Sequence, residues 1–126
     1  MTSRSATERA NIELIEAFVK EWEAPDYDPQ IGYAKYLSPD AVVQMAEEFP
    51  ITQGADAAIA AIKGFMDAGG RIVKADFDDI YACGPIVVTS RTDIVKLPEK
   101  DGETFAVAAV FIVKNGKITD WKEYAR

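Results

Sequence analysis

Two pairs of polar residues in the C-terminal half of the chain have the types and spacing that acid–base chemistry needs. Arg91 and Asp93 stand two residues apart, and so do Trp121 and Glu123, each pair inside a run that otherwise reads as a β-strand. Because side chains alternate between the two faces of a strand, the members of each pair share a face. Charged side chains are rarely buried unless they are paired or have a function. The two pairs therefore mark a candidate site.

The chemistry follows if both strands turn these faces toward one pocket. A guanidinium group can bind two carboxylates at once, so Arg91 would lie between Asp93 and Glu123. Two carboxylates in an apolar pocket repel each other and are poorly solvated, so the pair should share a proton over part of the pH range. A carboxylic acid beside a carboxylate can protonate a leaving oxygen and deprotonate a water or a carbon.

The alternative interpretation of the same residues is structural. Arg91, Asp93 and Glu123 would form a ladder of ion pairs on the solvent face of an antiparallel sheet, because alternation does not show which face is buried. Trp121 by itself is more typical of a core residue than of a ligand platform. A coupled acid pair predicts that one carboxyl titrates well above its ordinary range, which a surface ladder does not.

Composition narrows the classes of function. The 126 residues suit a single domain over residues 1–126, and the net charge of −7 disfavours nucleic acid and anionic membranes as partners. No apolar run is long enough to span a bilayer, and the N-terminal residues lack the apolar core of a secretion signal, so a cytoplasmic location is expected. The chain has no histidine and one cysteine, Cys83. A disulfide within the chain is excluded, and neither a metal nor an organic cofactor is implied.

Apolar residues at helical spacing predict a first helix over residues 6–23 and a third over Ala57–Asp67. Ser5 and Glu8 have the spacing of a capping box ahead of the first helix. The third helix turns Phe65 and the residue after it, Met66, inward and ends at a pair of glycines, which favour the left-handed conformation that closes helices.

A second, short helix is predicted between these two. Asp28 can cap it, and Pro29 suits its first turn. The helix would carry Ile31 and Leu37 among its apolar residues and stop before Pro39, because the residue ahead of a proline disfavours the helical conformation.

The rest of the chain is strand-like. One short strand, Ala41–Met45, precedes the third helix, and Asn115-Gly116 is a strong signal for a two-residue hairpin. The later strands are predicted at Ile72–Tyr81, Ile86–Leu97, Thr104–Val113 and Ile118–Tyr124. The order α-α-β-α-β-β-β-β is typical of an α+β fold, in which a curved, mostly antiparallel sheet wraps around the helices and leaves a conical pocket.

The pocket should have apolar walls and a few polar groups at its bottom. The strand Thr104–Val113 is apolar on both faces, so we expect it to be central, with helices on one side and a partner subunit on the other. The apolar residues predicted to line the pocket, besides Trp121, are Phe65, Met66, Val95, Phe105 and Val107.

The segments Ser90–Val95, Val110-Phe111 and Asn115–Tyr124 resemble those of the limonene-1,2-epoxide hydrolases. These enzymes belong to the nuclear-transport-factor-like, or cystatin-like cone, superfamily of α+β folds. The resemblance implies hydrolysis in one step, without a covalent intermediate. Asp93 would protonate the epoxide oxygen, and Glu123 would activate a water. Arg91 would bridge the two, with Trp121 beside them.

Two features depart from the family pattern. The family's base is an aspartate, and Glu123 is one methylene longer. The family also holds the attacking water with a tyrosine and an asparagine, and alignment on Pro50 and Gly54 puts Gln44 and Ala46 near those places. We therefore expect Gln44 to hold the water, a task that Ala46 cannot perform.

Three functions are compatible with these residues. The first is hydrolysis of an epoxide on a hydrophobic small molecule. The second is an isomerase-like or polyketide-cyclase-like proton transfer at carbon, which needs a base and a hydrogen-bond donor but no held water. The third is a non-catalytic module that binds a small molecule. Analogy with the fold implies a homodimer in each case.

Overall fold

The computed structural model of the protein describes residues 5–46 and 49–125. Its helices are α1 (Ala6–Glu21), α2 (Pro29–Tyr36) and α3 (Ala55–Asp67). Its strands are β1 (Leu37–Gln44), β2 (Thr52–Gln53), β3 (Arg71–Cys83), β4 (Ile86–Leu97), β5 (Lys100–Lys114) and β6 (Lys117–Ala125). The predicted α+β architecture is confirmed. The sequence analysis missed only β2, whose two residues are too few to show a periodicity.

The strands form one mixed, mostly antiparallel sheet in the order β2-β1-β6-β5-β4-β3, with β1 and β6 parallel. The long strand β5 therefore lies between β4 and β6, which carry the two polar pairs. The predicted hairpin joins β5 to β6, and both Asn115 (φ 53°) and Gly116 (φ 74°) adopt the left-handed conformation that such a turn requires. This turn sets the register of the two strands.

Helix α1 begins with the predicted capping box. The Ser5 hydroxyl accepts the Glu8 backbone N–H, and the Glu8 carboxylate accepts the Ser5 N–H, each at 3.0 Å. The helix ends at Glu21, two residues earlier than predicted. The next backbone N–H groups bond to carbonyls three residues back, for example Ala24 to Glu21 at 3.2 Å, so the chain tightens into a turn ahead of Pro25.

Helix α2 begins as predicted, with the Asp28 carboxylate accepting the backbone N–H of Gln30 at 2.9 Å. It carries Ile31 as predicted, but the assignment of Leu37 to the helix was wrong. Ile31 is 67% exposed, because the helix buries the face that carries Tyr33 and Tyr36. Leu37 is buried, but as the first residue of β1, opposite Ile118 of β6.

Aromatic rings join the helices to the sheet. The ring of Phe18, on α1, lies 5.2 to 5.5 Å from the rings of Trp22, Tyr33, Tyr36 and Trp121. Trp121 is in turn stacked on Trp22 at 5.5 Å and on Phe111 at 5.9 Å. Side chains from α1, α2, β5 and β6 thus meet in one buried aromatic cluster, which fixes the indole of Trp121.

The outer face of the sheet is partly exposed in a single copy of the chain. Val110 of β5 is 38% exposed, and Ile86 and Tyr124 on the neighbouring strands are 41% and 42% exposed. That a second copy covers this face stays a prediction. No helix in the described part of the chain is long and apolar enough to cross a membrane.

The aromatic cluster predicts that Phe18→Ala destabilises the protein by about 3–5 kcal/mol, because it removes a fully buried ring that touches four others. Urea unfolding followed by circular dichroism measures this change. The control is Ile31→Ala on the exposed face of α2, which we expect to change the free energy of unfolding by less than about 0.5 kcal/mol. Similar small effects for both variants would contradict the assignment of Phe18 to the core.

Candidate active site

A cavity of about 600 Å³ lies between the helices and the inner face of the sheet. Its volume is in the range of small-molecule sites. Asp93 and Glu123 both line it. So do all six apolar residues that the sequence predicted as its lining, which are Phe65, Met66, Val95, Phe105, Val107 and Trp121.

Arg91 lies beneath this surface, between the two carboxyl groups. Its Nε and Nη2 atoms donate to both oxygens of Asp93, at 3.1 and 2.8 Å. Its Nη1 atom lies 2.8 Å from Oε2 of Glu123, as an ion pair whose N–H bonds are not aligned on that oxygen. The indole Nε1 of Trp121 donates to the same Oε2 at 3.0 Å. We call Arg91, Asp93 and Glu123 the acid–arginine triad.

The register of the sheet builds the triad. Arg91 lies opposite Val107 of β5, and Glu123 lies opposite Ala109, so the two charged residues occupy adjacent rows on either side of one strand. The guanidinium must cross β5 to reach Glu123. Ala109 is fully buried and carries only a methyl group, which leaves room for this crossing.

Burial excludes the surface ladder. Arg91 is 0% exposed, Asp93 is 3% exposed and Glu123 is 7% exposed. Two buried carboxyl groups and one buried guanidinium are therefore taken out of water together. Such groups are tolerated when they pair with one another, as they do here.

Burial and neighbouring charges oppose each other at these groups. Burial raises the pKa of Glu123, and the nearby Asp93 adds to that rise, while Arg91 and the Trp121 hydrogen bond act against it without cancelling it. Burial disfavours the charge of Arg91, but Glu123 and Asp93 outweigh this and hold its pKa above the ordinary value. The ring of Trp22 lies 5.1 Å from the guanidinium carbon and adds a cation–π contact.

The expected water ligand Gln44 was placed wrongly. Val43 is 1% exposed and faces the core. Because side chains alternate along a strand, Gln44 points to the other face, and it lies opposite Lys122 in the register of β1 and β6. Met45 and Ala46, at the end of β1, do line the cavity. The inward positions of this segment are therefore apolar and offer no side chain that holds a water.

Sequence reasoning missed three aromatic residues of the cavity wall that carry polar atoms: Trp22, Tyr27 and Tyr33. The Nε1 of Trp22 and the hydroxyl of Tyr27 are buried and have no hydrogen-bond partner. Trp22 is 7% exposed and Tyr33 is 2% exposed. A helical period does not distinguish a core position from a position in a cavity wall, so the sequence held no signal for this role. Among residues 5–46 and 49–125, no group of carboxylates and thiols is arranged to hold a metal ion.

A model of the SnoaL-like domain family matches residues 15–121. The chain belongs to this family. Among solved structures, it is similar to an M. tuberculosis LEH-like epoxide hydrolase, with 25% identity, a TM-score of 0.78, and coverage of 94% of this chain and 84% of the other. A comparison with curated proteins finds no significant match.

Two further SnoaL-like or NTF2-like neighbours show the fold alone, because each is 17% identical. A protein from Jannaschia sp. CCS1, provisionally assigned as a SnoaL-like polyketide cyclase, has a TM-score of 0.77 and covers 99% of this chain and 91% of its own. An NTF2-like protein of unknown function from Burkholderia pseudomallei K96243 also has a TM-score of 0.77, with coverages of 93% and 91%. The same fold is thus found in an LEH-like epoxide hydrolase, in a provisionally assigned polyketide cyclase and in a protein of unknown function.

The triad predicts that Arg91→Met destabilises the protein by about 3–5 kcal/mol at pH 7, because it leaves two buried carboxyl groups without their cation. The deficit should shrink at pH 4, because burial raises the pKa of Glu123 and this carboxyl group takes up a proton instead of remaining charged. Chemical unfolding at both pH values measures it. Lys96→Met, which removes a less buried cation from the same strand, is the control and should change stability by less than about 1 kcal/mol at either pH.

The raised pKa of Glu123 predicts how stability depends on pH. The folded state binds this proton more tightly than the unfolded state, where a glutamate titrates near about 4.3. The resulting stabilisation is fully present below that value and is lost as the pH rises through the folded-state pKa. The free energy of unfolding of the unmodified protein, relative to Glu123→Gln, should therefore fall between acid and neutral pH. A difference that rises with pH would contradict the direction of the shift.

Proposed function

We propose that this SnoaL-like protein is a small-molecule hydrolase that opens an epoxide on a hydrophobic substrate by attack of water. The single observation that carries the proposal is the acid–arginine triad at the wall of an apolar cavity. A buried guanidinium that holds two carboxyl groups side by side supplies a proton donor and a proton acceptor within one site. The likeness to the LEH-like epoxide hydrolase structure supports the same reaction.

The geometry favours one assignment of roles. Both oxygens of Asp93 accept N–H bonds from Arg91, an arrangement that stabilises the carboxylate form. Glu123 uses Oε2 for its contacts with Arg91 and Trp121, and the raised pKa of this group favours a proton on it. We therefore assign Glu123 as the acid and Asp93 as the base, the reverse of the roles that the family resemblance implies.

In the proposed reaction Asp93 removes a proton from a water as its oxygen forms a bond to one ring carbon. The bond from that carbon to the epoxide oxygen breaks, and its electron pair goes to the oxygen, which takes the proton from Glu123. A diol leaves, and a proton passes between the two carboxyl groups or through water to restore the starting state. Arg91 stays protonated throughout and holds both groups.

A second candidate is proton transfer at a carbon next to a carbonyl group. The observation that favours it is the apolar inward surface of β1, where Val43 is buried and Met45 lines the cavity. This segment supplies no group to hold an attacking water, and an isomerisation does not need one. Exchange of ketone α-hydrogens in deuterated buffer, followed by proton NMR, separates this reaction from hydrolysis.

The test is a panel of apolar epoxides, including styrene oxide and cyclohexene oxide, with diol formation measured by chromatography. The unmodified protein should form diol, and Glu123→Gln and Asp93→Asn should each lower kcat by about 10²- to 10⁴-fold, the usual contribution of a positioned acid or base. In water enriched in oxygen-18, a single turnover should label the diol, because no covalent intermediate carries enzyme oxygen.

The matched controls are Glu103→Gln and Asp78→Asn. Glu103 pairs with Lys100 at the surface, and Asp78 accepts the hydroxyl of Thr92 on an exposed part of β3. Both variants should retain the activity of the unmodified protein. A protein that forms diol from no epoxide but exchanges ketone hydrogens would favour the second candidate, and one that does neither would favour a binding module.

A further inference from the structure

Tyr33 carries a hydroxyl group in the cavity wall that the acid–arginine triad leaves unused. Its side chain is 2% exposed and lines the cavity. The hydroxyl of Tyr36, almost one turn further along α2, donates to Glu21. For Tyr33, by contrast, only burial and charges act on the hydroxyl, and no residue in the described part of the chain is hydrogen-bonded to it. A hydroxyl in a cavity wall that no protein group pairs with is available to a ligand or a water.

Trp121 connects this hydroxyl group to the triad. The Tyr33 ring meets the indole of Trp121 edge-on at 5.7 Å, and the indole nitrogen is bonded to Glu123 at 3.0 Å. Phe18 packs against Tyr33 at 5.5 Å and fixes the ring. Tyr33 and Glu123 therefore both contact Trp121, and both line the cavity.

The hydroxyl also keeps its hydrogen. Burial raises the pKa of Tyr33 well above its usual range, and the charges of Tyr27 and Glu123 add to the rise, with Arg91 opposing it. A phenol that stays neutral donates one hydrogen bond. Because the guanidinium of Arg91 lies beneath the cavity surface, between the two carboxyl groups, Tyr33 is placed to supply the donor that a substrate oxygen needs in addition to the proton of Glu123.

We propose that Tyr33 is a further catalytic residue, which donates a hydrogen bond to the substrate oxygen that receives the proton of Glu123. The inference rests on the proposed function and narrows its substrate class to compounds with one accepting oxygen, an oxirane or a ketone, set in an apolar body. Tyr33 transfers no proton in this step. It stabilises the charge that develops on the oxygen as the carbon–oxygen bond breaks.

The kinetic test compares Tyr33→Phe with Tyr124→Phe, whose ring is 42% exposed on β6. If the unmodified protein hydrolyses epoxides, Tyr33→Phe should lower kcat by about 10²- to 10³-fold with little change in KM, as expected for a donor that acts mainly in the transition state. Tyr124→Phe should leave both constants unchanged. An unchanged kcat in Tyr33→Phe would overturn the inference.

A binding test measures the hydrogen bond of Tyr33 to a ligand without requiring turnover. Styrene oxide and phenylcyclopropane have nearly the same shape, but only the first has an oxygen acceptor. Binding is followed by the fluorescence of Trp22 and Trp121, which line the cavity, in the Asp93→Asn background where turnover is suppressed. Tyr33→Phe should weaken styrene oxide binding roughly 2- to 12-fold, the value of one neutral hydrogen bond, and leave phenylcyclopropane unaffected.

The outcomes of the two tests are distinct. No diol formation together with a selective loss of styrene oxide binding would end the proposed reaction but support the hydrogen-bond donor. Equal effects on both ligands, or no binding of either, would overturn the inference. Thermal unfolding completes the test, because the hydroxyl has no protein partner to lose and Tyr33→Phe should not lower Tm. A lowered Tm without a change in kcat or binding would show that Tyr33 has a structural role only, and this result would also overturn the inference.

Discussion

The buried guanidinium of Arg91 is the constraint on which the site depends. Its charge is fully removed from water, and this is tolerable only because Asp93 and Glu123 lie within 2.8 Å of it. The converse also holds, since two acids in a largely apolar cavity need a cation between them. Replacing Arg91 by a neutral residue therefore leaves buried carboxyl groups without a cation, and this requirement couples the chemistry of the site to the stability of the fold.

The strand register and the aromatic cluster each help to hold the three charged residues together. The register of β4, β5 and β6 brings three charged residues to one patch of the inner face, with a small Ala109 in the path of the guanidinium. The aromatic cluster then orients one of the acids, because Trp121 is held between Trp22 and Phe111 and donates to Glu123. Packing within the aromatic cluster thus contributes to the geometry of the site.

The sequence contained much of the fold but only part of the site. The hairpin signal at Asn115-Gly116 and the alternation along β4 and β6 were sufficient to place the charged residues on shared faces. Only the whole sheet shows which of these faces is buried. Alternation along one strand tells which residues share a face, but not which face is turned toward the core. Gln44 shows the limit of this reasoning. Its assignment came from an alignment, and an error of one residue in a strand moves a side chain to the opposite face.

Tyr33 shows a second limit of predicting a site from the sequence. Its position also bears on which of the two proposed reactions the site supports. It lies on the buried face of α2, and the spacing that buries a residue in a core also buries it in a cavity wall. Once the cavity is known, the choice between water attack and proton transfer at carbon depends on what lies opposite the acids. Val43 of β1 is buried and Met45, which follows β1, lines the cavity, whereas α2 presents the phenol of Tyr33 beside the ring of Trp121. Both reactions place growing charge on a substrate oxygen, so a donor near Glu123 serves either of them. Which of the two proposed reactions occurs then depends on the substrate, because its apolar body determines whether a water or a C–H bond reaches Asp93.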